Sequence, residues 1–223
     1  EPVAPTIQKA IFGYGKTSSD VSLTNLVNSS GVVATDVTGV GTARNNLAAS
    51  SYGGDKAIFG YGRTNTQVSM TNLVNNSGVV ATDVSGVGTA RQSLAAASYG
   101  GDKAIFGYGT DSSLTNLVTN QGVVGNDVSG VGTARNDLAA AGYGGDKAIF
   151  GFGTTGSVTG LTNLVSNTGV VASNVSAVGT ARKGLAAAGY GGDKAIFGYG
   201  TTGSLTAITN LVNNSGVVAS DVS

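Results

Sequence analysis

The side chains best suited to chemistry recur at fixed offsets along the chain. Acidic and basic neighbours stand together at Asp55-Lys56, Asp102-Lys103, Asp146-Lys147 and Asp193-Lys194. A carboxylate beside an amine could in principle move a proton, but adjacent residues of a strand point to opposite faces. Exposed pairs of this kind contribute only ~0–1 kcal/mol, so they read as solvated charges of a hairpin. An arginine closes each Gly-Thr-Ala-Arg string, at Arg44, Arg91, Arg135 and Arg182. Its planar fork suits backbone carbonyls or a carboxylate at the border between neighbouring units. Asp36, Asp83, Asp127 and Asp221 form another recurring set, with Asn174 in the remaining copy. A ring of carboxylates suggests calcium, yet the dense Asp-x-Asp-x-Asp-Gly grouping that wraps the ion in oxygens is missing. Gly-x-Gly strings such as Gly13-Tyr14-Gly15 lack the following helix and Lys-Ser/Thr of a phosphate loop.

Composition narrows the chemistry further. The 223 residues include no Cys, no His and no Trp. Thiol nucleophiles, imidazole bases and the usual zinc, copper and iron sites are thereby removed. Abundant Ser and Thr without a histidine, and without a Ser-Lys constellation, do not make a hydrolase. The expectation is a non-enzymatic protein with no cofactor. Twelve basic residues balance twelve acidic ones, so no electrostatic footprint marks a nucleic-acid partner. No apolar run approaches the ~18 residues of a membrane span, which argues against membrane insertion, and the opening Glu-Pro-Val-Ala-Pro is not a signal peptide.

What must position these residues is a repeat. Lys-Ala-Ile-Phe-Gly-aromatic-Gly begins at Lys9, Lys56, Lys103, Lys147 and Lys194, followed each time by Thr-Asn-Leu-Val and then Gly-Val-Val. The third copy is three residues short between Tyr108 and Thr115, and a segment that tolerates such a loss behaves as a surface loop. Within one copy, residues 94–99, 103–108, 113–118 and 123–128 read as four short strands. Gly100-Gly101-Asp102 and Thr119-Asn120-Gln121-Gly122 turn the chain between them. Strand two alternates small and large side chains, and no window carries helix periodicity.

Four antiparallel strands in about 47 residues is the pattern of a propeller blade. The predicted fold is an all-β, five-bladed β-propeller forming one domain over residues 1–223. Its blades fall at about 2–38, 44–85, 91–129, 135–176 and 182–222. Small Ala48, Ala95, Ala139 and Ala186 suit an innermost strand, while Ile58, Phe59, Leu73 and Val79 fill the space between neighbouring sheets. The segment 2–7 is expected to supply the inner strand of the first blade, where the Leu-Ala-Ala-Ala of the other copies is missing.

From Arg91 to Arg135, Arg-x-x-Leu-Ala-Ala-Ala, Gly-Gly, Ala-Ile-Phe-Gly-Tyr-Gly, Asn-Leu-Val and Asn-x-Gly-Val-Val resemble a kelch repeat in layout. Gly107-Tyr108-Gly109 stands where kelch repeats carry a Gly-Gly pair, and Leu117 and Val123 or Val124 where they carry aromatics. Over residues 9–222 the strings are more closely similar to the tandem repeats of fibre-like structural proteins of marine phages. That resemblance implies a structural or attachment module of a virion or extracellular fibre, with a host-surface glycan or another virion protein as partner. A multivalent carbohydrate-binding lectin with one site per blade is the alternative. It would use Tyr14, Tyr61, Tyr108, Phe152 and Tyr199 as stacking platforms. Antiparallel order puts the strand two–three loops and the linkers between blades on one side. The expected contact residues there are Arg63, Asn65, Gln67, Lys183, Asp111, Asn45, Gln92 and Asn136.

Overall fold

The computed structural model describes residues 10–223, and the expected strand over 2–7 lies outside them. All regular structure is antiparallel β. Unit one contributes β1 (Ala10–Lys16) and β2 (Asp20–Val27) as a two-stranded sheet. Three-stranded sheets follow: β3 (Ala48–Tyr52), β4 (Lys56–Gly60) and β5 (Thr71–Val74) in unit two, then β6 (Ala95–Tyr99), β7 (Lys103–Gly107) and β8 (Thr115–Val118) in unit three. Unit four has β9 (Ala139–Tyr143), β10 (Lys147–Gly151) and β11 (Thr162–Val165), and unit five β12 (Ala186–Tyr190), β13 (Lys194–Gly198) and β14 (Thr209–Val212).

Local chemistry explains each turn. Gly53 and Gly54 both sit at positive φ (61° and 80°), a backbone that glycine alone adopts freely. At the second hairpin Asn75 accepts the amides of Ser77 and Val79 on its side-chain oxygen, and Thr119 and Ser166 do the same with their hydroxyls. Three residue types thus serve one turn, because the turn needs only an acceptor at that point.

The expected fourth strand is not a strand. In unit three the segment 124–128 meets β8 at only two bridges, Val118↔Val124 and Thr115↔Val128. One extra residue on the outer segment separates them, a β-bulge. The Asn116 side chain occupies the gap, donating to the Gly125 carbonyl and to Asp127. Val80, bridged to Val74, is buried and Val79 exposed, the reverse of the expectation for Val79.

Successive units stack face to face, β3 on β6, β6 on β9 and β9 on β12. The small-against-large alternation operates between units. Phe106 of unit three lies against Gly60 of unit two, Phe150 against Gly107, and Phe197 against Gly151; a Cβ on any of these glycines would stand 2.6 Å from the facing ring's Cζ. Each ring is almost or wholly buried, a burial that contributes roughly 1.5–3 kcal/mol per side chain. Backbone bonds run the same way: the Gly53 amide donates to the Asp102 carbonyl, Gly100 to Asp146 and Gly144 to Asp193. Ala48, Ala95 and Ala139 are buried in this stack, whereas Ala186, on the last unit, is exposed.

Candidate functional site

Most of the recurring polar residues converge at the joints between units. At the joint of units two and three, Arg91 is 1 % exposed. Its Nε donates to the Tyr108 carbonyl at 3.0 Å, Nη2 to Asn116 Oδ1 at 2.6 Å and Nη1 to the Thr89 carbonyl at 3.2 Å. Its guanidinium carbon also lies 4.7 Å from the ring centre of Tyr61, which belongs to the preceding unit. Arg44 on Tyr14, Arg135 on Tyr108 and Arg182 on Phe152 repeat the stack. For Arg44, Arg91 and Arg135 so deeply buried a charge survives because every guanidinium nitrogen finds an acceptor and an aromatic face balances it. At the last joint, by contrast, Arg182 Nη2 and Asn210 Oδ1 have no partner among the described residues. Burial draws the Arg44, Arg135 and Arg182 pKa values down from the ordinary arginine value, and nearby Tyr14, Tyr108 and Asp221, respectively, act in the opposite sense.

The stacked aromatic completes the joint. Tyr61 meets Phe106 of the next unit at 5.1 Å between ring centres and donates its hydroxyl to the Val87 carbonyl. Burial pushes its pKa to about 12. Tyr14, Tyr61, Tyr108, Phe152 and Tyr199 all hold φ between 62° and 65°, a costly backbone for a bulky side chain. In the first four units the following unit surrounds the aromatic, so packing secures the strain.

The recurring aspartates have structural partners. Asp83 accepts the Thr42 amide and hydroxyl and the Asn72 amide, with Arg44 Nη1 3.9 Å away. Burial raises its pKa, but these hydrogen bonds and the arginine charge outweigh it and leave the carboxyl below the usual range. Where unit four has Asn174, the amide reproduces the contact with reversed polarity: Asn174 Nδ2 donates to the Thr133 hydroxyl while Oδ1 accepts the Thr133 amide. Asp83, Asp127 and Asp221, on the outer segments of units two, three and five, are therefore fastened to the linker between units.

The Asp-Lys neighbours depart from expectation. Each aspartate lies in the turn, not on the strand, so its side chain swings back to the lysine: Nζ–Oδ1 distances are 3.0, 3.1, 3.4 and 2.7 Å along the four pairs. Asp55, Asp102 and Asp146 also accept from Asn76, Asn120 and Asn167 of the second hairpin. A groove of about 500 Å³ runs along the first hairpins of units three to five, edged by Tyr99, Tyr143, Tyr190, Asp146 and Lys147. Its lining carries hydroxyls, the Asp146–Lys147 pair and Lys194, with Asp146 the one carboxylate among the lining residues.

The residues expected to bind a partner fall into three small groups. Asn45, Arg63 and Gln67 join through the bridges Asn45↔Arg63 and Arg63↔Gln67; Asn65 sits exposed in the loop between the latter two. Asn136 pairs with Thr154 and donates to Asp111 at 3.3 Å. Lys183 pairs with Thr201, and Gln92 exchanges hydrogen bonds with the Thr110 hydroxyl. Loop and linker thus lie side by side in every unit from the second onward. The second residue after each arginine differs between copies, but within a backbone constraint. Asn46, Ser93, Asp137 and Gly184 hold φ between 51° and 61° and hydrogen-bond in series, Ser93 N to Asn46 O, Asp137 N to Ser93 O and Gly184 N to Asp137 O. Only residues that tolerate the left-handed region fit there. The shortened loop of unit three forces Thr110 and Asp111 into the same region, at 37° and 54°.

Two features escaped the sequence reading. The asparagine of Thr-Asn-Leu-Val is buried at Asn72, Asn116, Asn163 and Asn210, and an asparagine repeated inside a strand, where it is disfavoured, was the available signal. The proposed stacking platforms are the second: Tyr14, Tyr61, Tyr108 and Phe152 are sealed by the next unit, and only Tyr199 is open. Compared with known proteins, the chain matches no protein-family model and no curated protein.

Proposed function

We propose that the chain is a non-enzymatic structural and attachment module, of the kind a fibre-like virion or extracellular protein uses to space and present a polar surface. The carrying observation is how the recurrent chemistry is used. The Gly-Thr-Ala-Arg arginines, the buried asparagines they reach, and Asp83, Asp127 and Asp221 are engaged in fastening one unit to the next, with Arg44, Arg91, Arg135 and Arg182 at most 1 % exposed. What varies and remains accessible is the row of loops with Arg63, Asn65 and Asp111, flanked by Lys183 and Asn136. Those groups suit hydroxyls of a host-surface glycan or the polar surface of another virion protein.

A five-bladed propeller would set unit five against unit one. Phe12 at 60 % and Tyr199 at 64 % exposure instead support an open array, the form adopted in this reading. The lectin alternative loses support because four of its five platforms are buried. The test is a glycan array with pull-down from host envelopes, comparing the wild type with a variant in which Arg63, Asn65, Gln67 and Lys183 are all alanine. Binding lost in that variant supports the loop face; binding that survives it, and disappears on changing the Gly53-Gly54 or Asn76-Ser77 hairpins, overturns it.

A further inference from the structure

The groove along the first hairpins carries chemistry that the joints leave unused. One position of the innermost strand holds Ser51 in unit two and Ser98 in unit three but Gly142 and Gly189 in units four and five, and the groove opens where the glycines stand. The fold does not demand them. Neither is at positive φ, and among the described residues a Cβ would come no closer than 3.5 Å to a neighbour at Gly142 and 3.4 Å at Gly189, ordinary contacts. Glycine inside a strand weakens it, but it lets another molecule approach the backbone closely.

Two phenols open on that space. Tyr99 and Tyr143 are 3 % and 4 % exposed and line the groove, each in a unit with a neighbour on either side. Tyr14, Tyr61 and Tyr108 donate their hydroxyls to backbone carbonyls. Among the described residues the Tyr99 and Tyr143 hydroxyls meet no such partner, although neither is sealed from solvent. A phenol buried to this extent ordinarily has its hydroxyl satisfied. Burial, helped by the nearby Asp102 and Asp146 carboxylates respectively, raises both pKa values above the ordinary tyrosine value, so both remain donors at neutral pH. The charges at the edge cancel: Lys147 lies 3.4 Å from Asp146 and Lys194 2.7 Å from Asp193. Amine and carboxylate side by side suit hydroxyls, which both donate and accept, and offer no net charge to an anion.

Spacing selects among neutral ligands. At the start of the inner strands, equivalent residues of successive units are joined by backbone hydrogen bonds, Asp137 N to Ser93 O and Gly184 N to Asp137 O, which sets them about 5 Å apart. The strands stay close at the groove, where the Cβ positions of Gly142 and Gly189 lie beside the carbonyl oxygens of Ser98 and Gly142. The groove thus repeats in steps of about 5 Å, close to the advance of one pyranose ring in a β-linked chain. An extended peptide advances ~3.4 Å per residue and falls out of step.

We propose that this groove binds a neutral, β-linked oligosaccharide laid across units three to five, one sugar ring to a unit. Tyr99 and Tyr143 donate to sugar hydroxyls, and Asp146 and Lys147 hold the edge of the middle ring. The site lies at the opposite ends of the strands from the loop face and is independent of any ligand there.

Saturation-transfer NMR with soluble β-1,4-linked oligomers of glucose, N-acetylglucosamine, mannose and xylose, one to four rings long, tests it, with calorimetry on those that bind. The wild type should bind at least one series, with affinity rising up to three rings and no further at four. Gly142→Ser with Gly189→Ser copies the position as units two and three have it and should weaken binding about tenfold by filling the floor. Tyr99→Phe with Tyr143→Phe keeps the rings, removes the hydroxyls and should weaken it by about the same factor. Circular dichroism checks that both double variants fold. The variant with alanine at Arg63, Asn65, Gln67 and Lys183 should bind these oligomers as the wild type does, which separates this site from the loop face. Failure of the wild type to bind any series overturns the proposal. So does an affinity blind to chain length, binding that both double variants leave intact, or binding lost in the loop variant.

Discussion

Gly107 and Gly198 occupy equivalent places in β7 and β13, so alanine at each is the same local change in a different setting. At Gly107 the new Cβ would stand 2.6 Å from Phe150 Cζ and 3.0 Å from Cε1. Carbon atoms prefer about 3.5–4.0 Å, so the ring must retreat by roughly 1 Å. It has nowhere to go, being fully buried with its centre 5.2 Å from that of Tyr108. Overpacking of this sort costs about 1–3 kcal/mol. At Gly198 the only neighbour among the described residues is the Thr209 methyl at 3.5 Å, an ordinary contact, and φ is not in the left-handed region. Losing a glycine also stiffens the unfolded chain, which favours the fold by about 0.4–1 kcal/mol. That gain applies at both positions. Gly107→Ala should therefore be destabilised and Gly198→Ala neutral or slightly stabilised, separated by about 1–3 kcal/mol. Urea unfolding followed by circular dichroism and tyrosine emission, at concentrations where the chain is monomeric, measures the difference. A Phe150→Leu change should recover part of the loss in Gly107→Ala. If Gly198→Ala is destabilised as strongly as Gly107→Ala, the cost lies within the strand, and the inter-unit reasoning fails.

Other outcomes follow from the same joints. Arg135→Met keeps much of the volume but strips the donors from the Phe152 carbonyl and Asn163 Oδ1; leaving these buried acceptors unpaired should cost about 1–3 kcal/mol each in chemical denaturation. Asp83, Asp127 and Asp221 hold carboxyl pKa values below the usual range. Their stabilisation is thus present above about pH 4 and lost as acid carries the solution down through the folded values. Replacing all three by asparagine, as Asn174 already is, should flatten the fall in melting temperature between about pH 4 and 2. Phe152→Tyr adds a hydroxyl where Tyr61 and Tyr108 donate to Val87 and Val131. With Val178 as the matching acceptor, thermal melts should show a gain of about 1 kcal/mol.

The repeat, three strands of each complete unit and both hairpins were legible because alternation and glycine turns are local signals. The fourth segment was not, because its bulge depends on Asn116 reaching Gly125 and Asp127 across the sheet. Nor could the Asp55-Lys56 contact be read: the strand rule that separates neighbours fails once the aspartate falls in the turn. The joints were only half legible. The alternation of Phe106 and Gly107 was visible, but identical copies do not tell whether a phenylalanine meets the glycine of its own unit or of the one before. The left-handed aromatic had no signal at all, since Tyr61 is a residue type that conformation disfavours.

Because every joint pairs a residue of one copy with a different residue of the next, each copy carries both halves of the lock. An unequal crossover that adds or removes a whole repeat therefore leaves every remaining joint matched. One that breaks the phase strands a phenylalanine without its glycine, or a tyrosine without its arginine. The three residues missing from unit three fall in a loop between those partners and leave the Tyr108–Phe150 pair at 5.2 Å. Recombination can thus change the number of repeats in a gene of this kind without compensating substitutions at the new junction, making repeat number an inheritable variable largely separate from the stability of each joint.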